Sequence, residues 1–322
     1  MKIFRRKYLI QFWKILSATF MGFIDDNGLK HSASLAYYTI FSIAPLLILV
    51  ISLAGFVFGA DATANRLYPQ IAHYVGSSAA LQIQEILKKL ALSGKSFGAV
   101  VIGIIALFIG ASGVFVEIQD SLNIIWRVKA KPKRGWLKLI QNRFLSFSLI
   151  IGFGFLLLVS LVINLMLTAL SNWIEEFLPA ITTLLIKGIN LGITFIVISV
   201  LFAVIFKFLP DVKIRWKNVR TGAFFTALLF MGGQYLINLY IQYAAKTSVY
   251  EAAGSILVIL VWIYYTAAIL YIGAEFTQVY AEATGTRIEP ADYAVAILQT
   301  EVERVVTTLP VQNPDIAKKT DE

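Results

Sequence analysis

At 322 residues, with 58% hydrophobic and only 15% charged content, the chain is too apolar for a soluble domain, where about half apolar and about a quarter charged is usual. The absence of cysteine excludes disulfides, CxxC redox motifs and thiolate metal sites. A formal net charge of +9 would suit a nucleic-acid binder, but the basic residues lie between hydrophobic blocks, where anionic headgroups are the nearer partner, so membrane lipids and no nucleic acid are expected.

The chain begins with a basic stretch, Met1–Lys7, and an apolar one, Tyr8–Ile24, in the manner of a signal peptide. Gln11 and Lys14 interrupt the apolar run, no small-residue cleavage site follows, and a long hydrophobic span begins within ten residues, which argues against that reading. Lys7 and Lys14 on one side and Phe12, Trp13, Leu16 and Phe20 on the other describe an interfacial helix, so residues 1–30 are read as a cytoplasmic, interfacial N-terminal segment.

Six apolar blocks follow: Ala33–Phe58, Phe97–Val116, Phe144–Ala169, Thr183–Phe206, Gly222–Tyr240 and Gly254–Ala274. Each is near or above the roughly 20 residues that cross a hydrocarbon core, and period-2 alternation is absent, which excludes a barrel. They define a six-helix transmembrane domain over residues 31–282, followed by a cytoplasmic tail over 283–322. In the first loop, Ile83, Ile86, Leu87 and Leu90 predict an amphipathic extracytoplasmic helix over Ala79–Leu92. In the tail, Pro290 is expected to open a short helix with Ala294, Leu298, Val302 and Val305 along one stripe. That stripe needs a surface, supplied by the protein's own loops or by an envelope protein partner.

Of the 28 lysines and arginines, 22 fall in the N-terminal segment, loops two and four and the tail, and 6 in the other loops. The positive-inside rule then puts both termini in the cytoplasm, with Trp13, Trp126, Trp136 and Trp216 as interfacial anchors on that side. The expected fold is therefore an all-α integral membrane protein with six transmembrane helices and both ends inside.

Several polar constellations interrupt the spans. His31, Ser34, Tyr38, Ser42 and Pro45 share one face of span one, suited either to hydroxyl-mediated helix packing or to lining a cavity. Glu117, Asp120, Asn123 and Arg127 follow at spacings of three, three and four after Gly110-Ala-Ser-Gly113. Two carboxylates one turn apart need a cation, with Arg127, Lys129 or Lys133 as the expected partner. Glu275, Gln278 and Glu282 form a matching stripe at the end of span six, and Gln234, Asn238 and Gln242 form one on span five. Intramembrane polar groups are costly facing lipid. Tyr38, Ser42, Glu117, Asp120, Asn123, Arg127, Gln234, Asn238, Glu275 and Gln278 are accordingly the candidate polar path, weighed against plain bundle packing. No Walker A, dinucleotide, nucleophile-elbow or HExxH pattern is present, and no cofactor, metal site or catalytic residue is expected.

The segment His31 to Leu46, with its Leu-Ala-Tyr-Tyr and Phe-Ser-Ile-Ala-Pro-Leu core, resembles the YihY/BrkB family of bacterial inner-membrane proteins. So do Gly110-Ala-Ser-Gly113, Lys207-Phe-Leu-Pro-Asp211 and Gly273-Ala-Glu-Phe, and the likeness runs from about Phe20 to Thr286. The resemblance implies six spans, residence in the cytoplasmic membrane, a link to envelope integrity and, for some members, export of a lipid or other amphiphile. It carries over no catalytic residues. Members have also borne the label ribonuclease BN, but a metal-dependent hydrolase wants clustered His and Asp ligands. This chain has two histidines, His31 and His73, which the topology separates across the membrane, so a non-enzymatic role is expected. The leading expectation is a flippase-like exporter of an amphiphile, and the alternative is a non-transporting scaffold for envelope assembly.

Overall fold

The computed structural model describes residues 2–42, 113–131, 148, 152, 179–244 and 254–298, with side chains over 10–42, 113–131, 148, 152, 188–236 and 260–298. Spans one and two are therefore seen in part. Of the block read as span three only residues 148 and 152 are described, and the loop-one helix over Ala79–Leu92, His73, Pro45, Lys133, Trp136, Val302 and Val305 lie outside the described residues.

The first helix, α1, is Lys2–Asp25. It packs along a later helix, α6, Gly254–Ala283. Thr19 and Phe23 turn inward, while Ile10, Trp13, Phe20, Met21 and Ile24 stay exposed as one apolar stripe. The helix ends one turn before residue 30. The Asp26 and Asn27 amides close back on the Gly22 and Ile24 carbonyls at 2.8 and 3.0 Å, and Asn27 takes φ 56°, a left-handed setting that asparagine tolerates better than most residues. The chain then re-enters a helix at once, α2, described over residues 28–42.

Helix α3, described over residues 113–125, continues past the apolar block that ends at Val116. A turn with Arg127 at φ 53° leads into β1, Val128–Ala130. Helices α4, Pro179–Phe208, and α5, Trp216–Ala244, flank a short strand β2, Val212–Lys213, and α4 packs on α5 and α5 on α6. Gly188–Phe208 and Leu260–Ala283, with mean hydropathies of 2.6 and 1.3, are long and apolar enough to cross a membrane.

The helices carry large apolar side chains on their outer faces as well as in their core. Ile189, Leu191 and Ile196 on α4, Phe224, Leu228 and Leu236 on α5 and Val261 on α6 are exposed, whereas Ser199, Thr226 and Thr277 are buried between helices. At the α5–α6 seam the fit is reciprocal. A Cβ at Gly222 would overlap the Thr277 hydroxyl, and one at Gly273 would overlap that of Thr226. Each threonine hydroxyl also donates to its own helix, Thr226 to Gly222 and Thr277 to Gly273, both at 2.7 Å. Small residues here let the two backbones approach.

The tail departs from the expected helix. Helix α6 ends with Gly285 at φ 71°, the Thr286 amide reaching the Ala281 carbonyl at 2.8 Å and the Gly285 amide that of Glu282 at 3.0 Å, a Schellman closure. The chain then runs extended as β3, Glu289–Pro290, and β4, Ala294–Ala296. Strand β3 pairs antiparallel with β2, Val212 opposite Pro290, and β4 with β1, Lys129 opposite Val295. Flanking bonds from Ala291 to Asp211, Lys131 to Tyr293 and Ile297 to Arg127, at 2.8 to 3.0 Å, extend the lacing. Pro290, Ala294 and Leu298 are thus not a helix stripe. The physical reason is that two inter-helix loops present backbone donors and acceptors that an extended ribbon satisfies and a helix, bonded to itself, does not. Pro290 fits a short edge strand, where a missing N–H is tolerated. The ribbon is completed by an exposed ion pair between Lys213 and Asp292.

Candidate functional site

The polar residues gather at the end of the bundle where α1, α3 and α6 finish and α5 begins. Its centre is Asp211, 2% exposed, in the loop between α4 and β2. Gln119 Nε2 donates to both of its carboxylate oxygens at 3.1 Å, Asn123 Nδ2 to Oδ2 at 2.9 Å and the Tyr293 hydroxyl to Oδ1 at 2.9 Å. Asn123 Oδ1 in turn accepts from the Asp211 amide at 2.9 Å. Gln119 and Asn123 reach it together because they stand one turn apart on α3. Charge-assisted bonds of this kind are the stronger sort, and this group ties α3, the α4–α5 loop and the tail ribbon into one piece.

A second group lies between α1 and α6. Glu275 is 3% exposed, and its Oε2 sits 2.8 Å from where a Cβ on Gly22 would stand, so its carboxyl lies against the α1 backbone. Asp26 stands one turn beyond Gly22, its amide bonded to the Gly22 carbonyl at 2.8 Å, and its carboxyl bears on Glu275. Arg127 Nη2 donates to Asp26 Oδ1 at 2.9 Å. Arg127 is thus the partner of Asp26, and not of Glu117 or Asp120 as its spacing suggested. The left-handed turn after α3 carries its side chain away from the α3 stripe and toward the end of α1.

A third group joins α2, α3 and α6. Ser121 Oγ lies 3.2 Å from His31 Nδ1, and the His31 ring meets Tyr271 edge-on with centroids 6.3 Å apart. Trp126 is 5% exposed and donates from Nε1 to the Ala274 carbonyl at 3.1 Å. It is a core anchor between α3 and α6 and not an interfacial one. Trp13 and Trp216 do remain exposed.

Of the candidate path residues, Glu117, Asp120 and Asn123 share the α3 end with Asp211. Asp120 is exposed, yet partial burial of its carboxyl, then the charges of Glu117 and Asp211, hold it above the ordinary aspartate range. Tyr38 and Ser42 stand one turn apart on α2. The Tyr38 ring fills the space at Gly113, where a Cβ would stand 3.2 Å from Cδ1, and the Ser42 hydroxyl donates to the Tyr38 carbonyl of its own helix at 2.8 Å. Gln278 Nε2 reaches Glu282 at 3.5 Å, and its Oε1 is buried without a partner. Gln234 is half-buried on α5, beside Gly233, which admits the Tyr265 hydroxyl on its way to the Leu229 carbonyl at 2.9 Å. The side chain of Asn238 lies outside the described residues. Sequence spacing did not single out Gln119, Asp211, Asp26 and Tyr293 as site residues, because their partners are 82 or more residues away. The one available signal was the Pro-Asp pair closing the α4–α5 loop.

Residues 19–296 match the family described as Virulence factor BrkB. Among curated relatives, a UPF0761 membrane protein of Pseudomonas paraeruginosa is 26% identical over 78% of this chain and 59% of its own length. One from Alkalilimnicola ehrlichii is 25% identical over 86% and 62% respectively. The ribonuclease-like protein YfkH of Bacillus subtilis is 24% identical over 81% of this chain and 92% of its own length. The chain thus spans about three fifths of the UPF0761 relatives it matches. No solved structure matches.

Proposed function

Because the chain belongs to the BrkB family of membrane proteins, we propose that it crosses the cytoplasmic membrane six times with both ends inside and moves an amphiphile, such as a lipid, between the two leaflets. The observation that carries this reading is the placement of acidic and amide side chains inside helices whose outer faces are apolar. Glu275 is 3% exposed within an apolar helix, and the Asn190 and Gln278 side chains hold buried oxygens without partners. Such groups cost several kcal/mol in lipid, roughly 3 on insertion scales, and are retained where a polar substrate or ion passes. With no ATP-binding pattern in the sequence, an ion gradient or downhill movement powers the step.

Protein reconstituted into vesicles with envelope lipids labelled in one leaflet tests this. Faster transbilayer movement than in empty vesicles is expected, lost in Gln234→Ala and Asn238→Ala with normal insertion. No movement of any envelope lipid or lipid precursor would sink the reading.

The scaffold alternative takes its docking surfaces from the basic inner loops and the amphipathic tail. Within that tail, residues 289–297 are extended and hydrogen-bonded to β1, β2 and their flanks. A ribonuclease role gains no support from the name of one relative, since substrate and metal chemistry would have to come from this chain's own side chains.

A further inference from the structure

Glu275 lies where α6 packs on α1, and its surroundings are unbalanced. The charged groups facing it are Asp26 and, farther off, Asp25 from the end of α1, and Arg127 from the turn after α3. Helix α5, on another face of α6, brings no charged group to bear on it among the described residues. Arg127 is the only cation of the set, and its guanidinium is engaged with Asp26 at 2.9 Å. Two carboxyls facing one another therefore share one guanidinium at a place where Glu275 is 3% exposed.

Ionised carboxylates are acceptors only. If both were charged, neither could donate to the other, and Glu275 Oε1 is buried without a partner. An uncompensated buried charge costs several kcal/mol, on the order of 3 to 5 when its partner is missing. One added proton removes both defects, since it supplies the donor that the facing oxygens lack and cancels the excess charge. A divalent metal ion fits poorly. It asks for six or more oxygen ligands or a rigid octahedron, no group of three or more acidic or histidine side chains among the described residues is placed to hold one, and Arg127 would repel it.

We propose that Asp26 and Glu275 form a proton-binding site in which one proton bridges the two carboxyls and Arg127 balances the remaining charge. The proton transfers to a carboxylate oxygen from water and returns to it, with no other reactant. Its departure leaves two like charges between α1 and α6, with Glu275 pressed on the Gly22 backbone, and so loosens the last turn of α1 from α6. Under the transport reading this site would carry the coupling ion. Proton binding itself does not depend on that reading.

Infrared spectroscopy of the whole protein in lipid nanodiscs tests the site. A carboxylic-acid C=O stretch is expected at neutral pH, fading as pH rises and missing from Glu275→Gln. Should Glu275→Gln fail to fold, Asp26→Asn serves for the same subtraction, and the band should be lost or shifted. Absence of the band in the wild type, or a band unchanged in the folded variant, overturns the proposal. Hydrogen exchange of the α1 amides near Gly22, corrected for intrinsic rates, should rise severalfold with pH in the wild type, and a pH-independent rate counts against it. Neither readout uses lipid movement, so failure here and failure of the transport reading are separable.

Discussion

Asn123 and Asp211 hold each other twice. The Asp211 backbone amide donates to Asn123 Oδ1 at 2.9 Å, and Asn123 Nδ2 donates to Asp211 Oδ2 at 2.9 Å. The pair closes a ring between a helix end and a loop 88 residues away, and the carboxylate has room left for Gln119 and Tyr293. Replacing Asp211 by Ala strands these donors in a buried place, so a loss of about 2–4 kcal/mol is expected. Thermal unfolding in detergent reads it, and Asp211→Ala with a wild-type midpoint would show that the network is decorative.

The seam between α5 and α6 gives a steric prediction. Gly222→Ala forces a methyl onto the Thr277 hydroxyl, an overpacking cost of about 1–3 kcal/mol. Adding Thr277→Gly should recover much of it, less about 1 kcal/mol for glycine in a helix. A double variant no more stable than Gly222→Ala alone would rule out this clash as the cause.

Arg127 combines an ion pair with a left-handed backbone. Arg127→Ala loses the pair and keeps the strained φ, whereas Arg127→Gly loses the pair and relieves it. The glycine variant should be the more stable of the two by about 1 kcal/mol. Equal midpoints for the two variants in denaturant would contradict the left-handed turn.

The tail ribbon predicts a sharp boundary for truncation. Ending the chain after Leu298 spares both strand pairs, and that protein is the reference for the shorter one. Ending it after Glu289 removes β4, Tyr293 and the second residue of β3 together, and a lower midpoint and faster proteolysis are expected. Equal behaviour of the two truncations would refute the ribbon's role.

Asp120 supplies a pH test. Its carboxyl titrates above the ordinary aspartate value in the folded protein, so the folded state keeps this proton after the unfolded state has lost it. Stability from this group is present below the unfolded value and is lost as pH rises through the folded one. The wild type should therefore lose stability relative to Asp120→Asn as pH climbs from the aspartate range toward neutrality. A constant difference between the two unfolding curves across that range would exclude the effect.

The sequence already contained the long helices, because a run of twenty apolar residues has few other outcomes. Helices Pro179–Phe208 and Gly254–Ala283 overlap the blocks read from hydropathy. It also pointed to Glu275 and Asn123 through their spacing on one helix face. Partnership was harder to read. Arg127 looked like the counter-ion of its own stripe, but a single left-handed residue redirected it to Asp26. Trp126 had the position of a headgroup anchor and instead fills the core with its indole bonded to Ala274. The tail carried a period that suits a helix, and the deciding influence was the unpaired backbone of two loops distant in sequence. Local pattern names the elements, whereas long-range bonds decide what each polar group answers to.

The threonines and glycines of α5 and α6 engage like the teeth of two racks, Thr226 in the notch at Gly273 and Thr277 in the notch at Gly222. Toothed racks resist both slipping along their length and rolling against each other. Helices α5 and α6 therefore behave as one lever, and α1 leans on that lever with Thr19 and Phe23 turned inward and the Glu275 carboxyl set against Gly22.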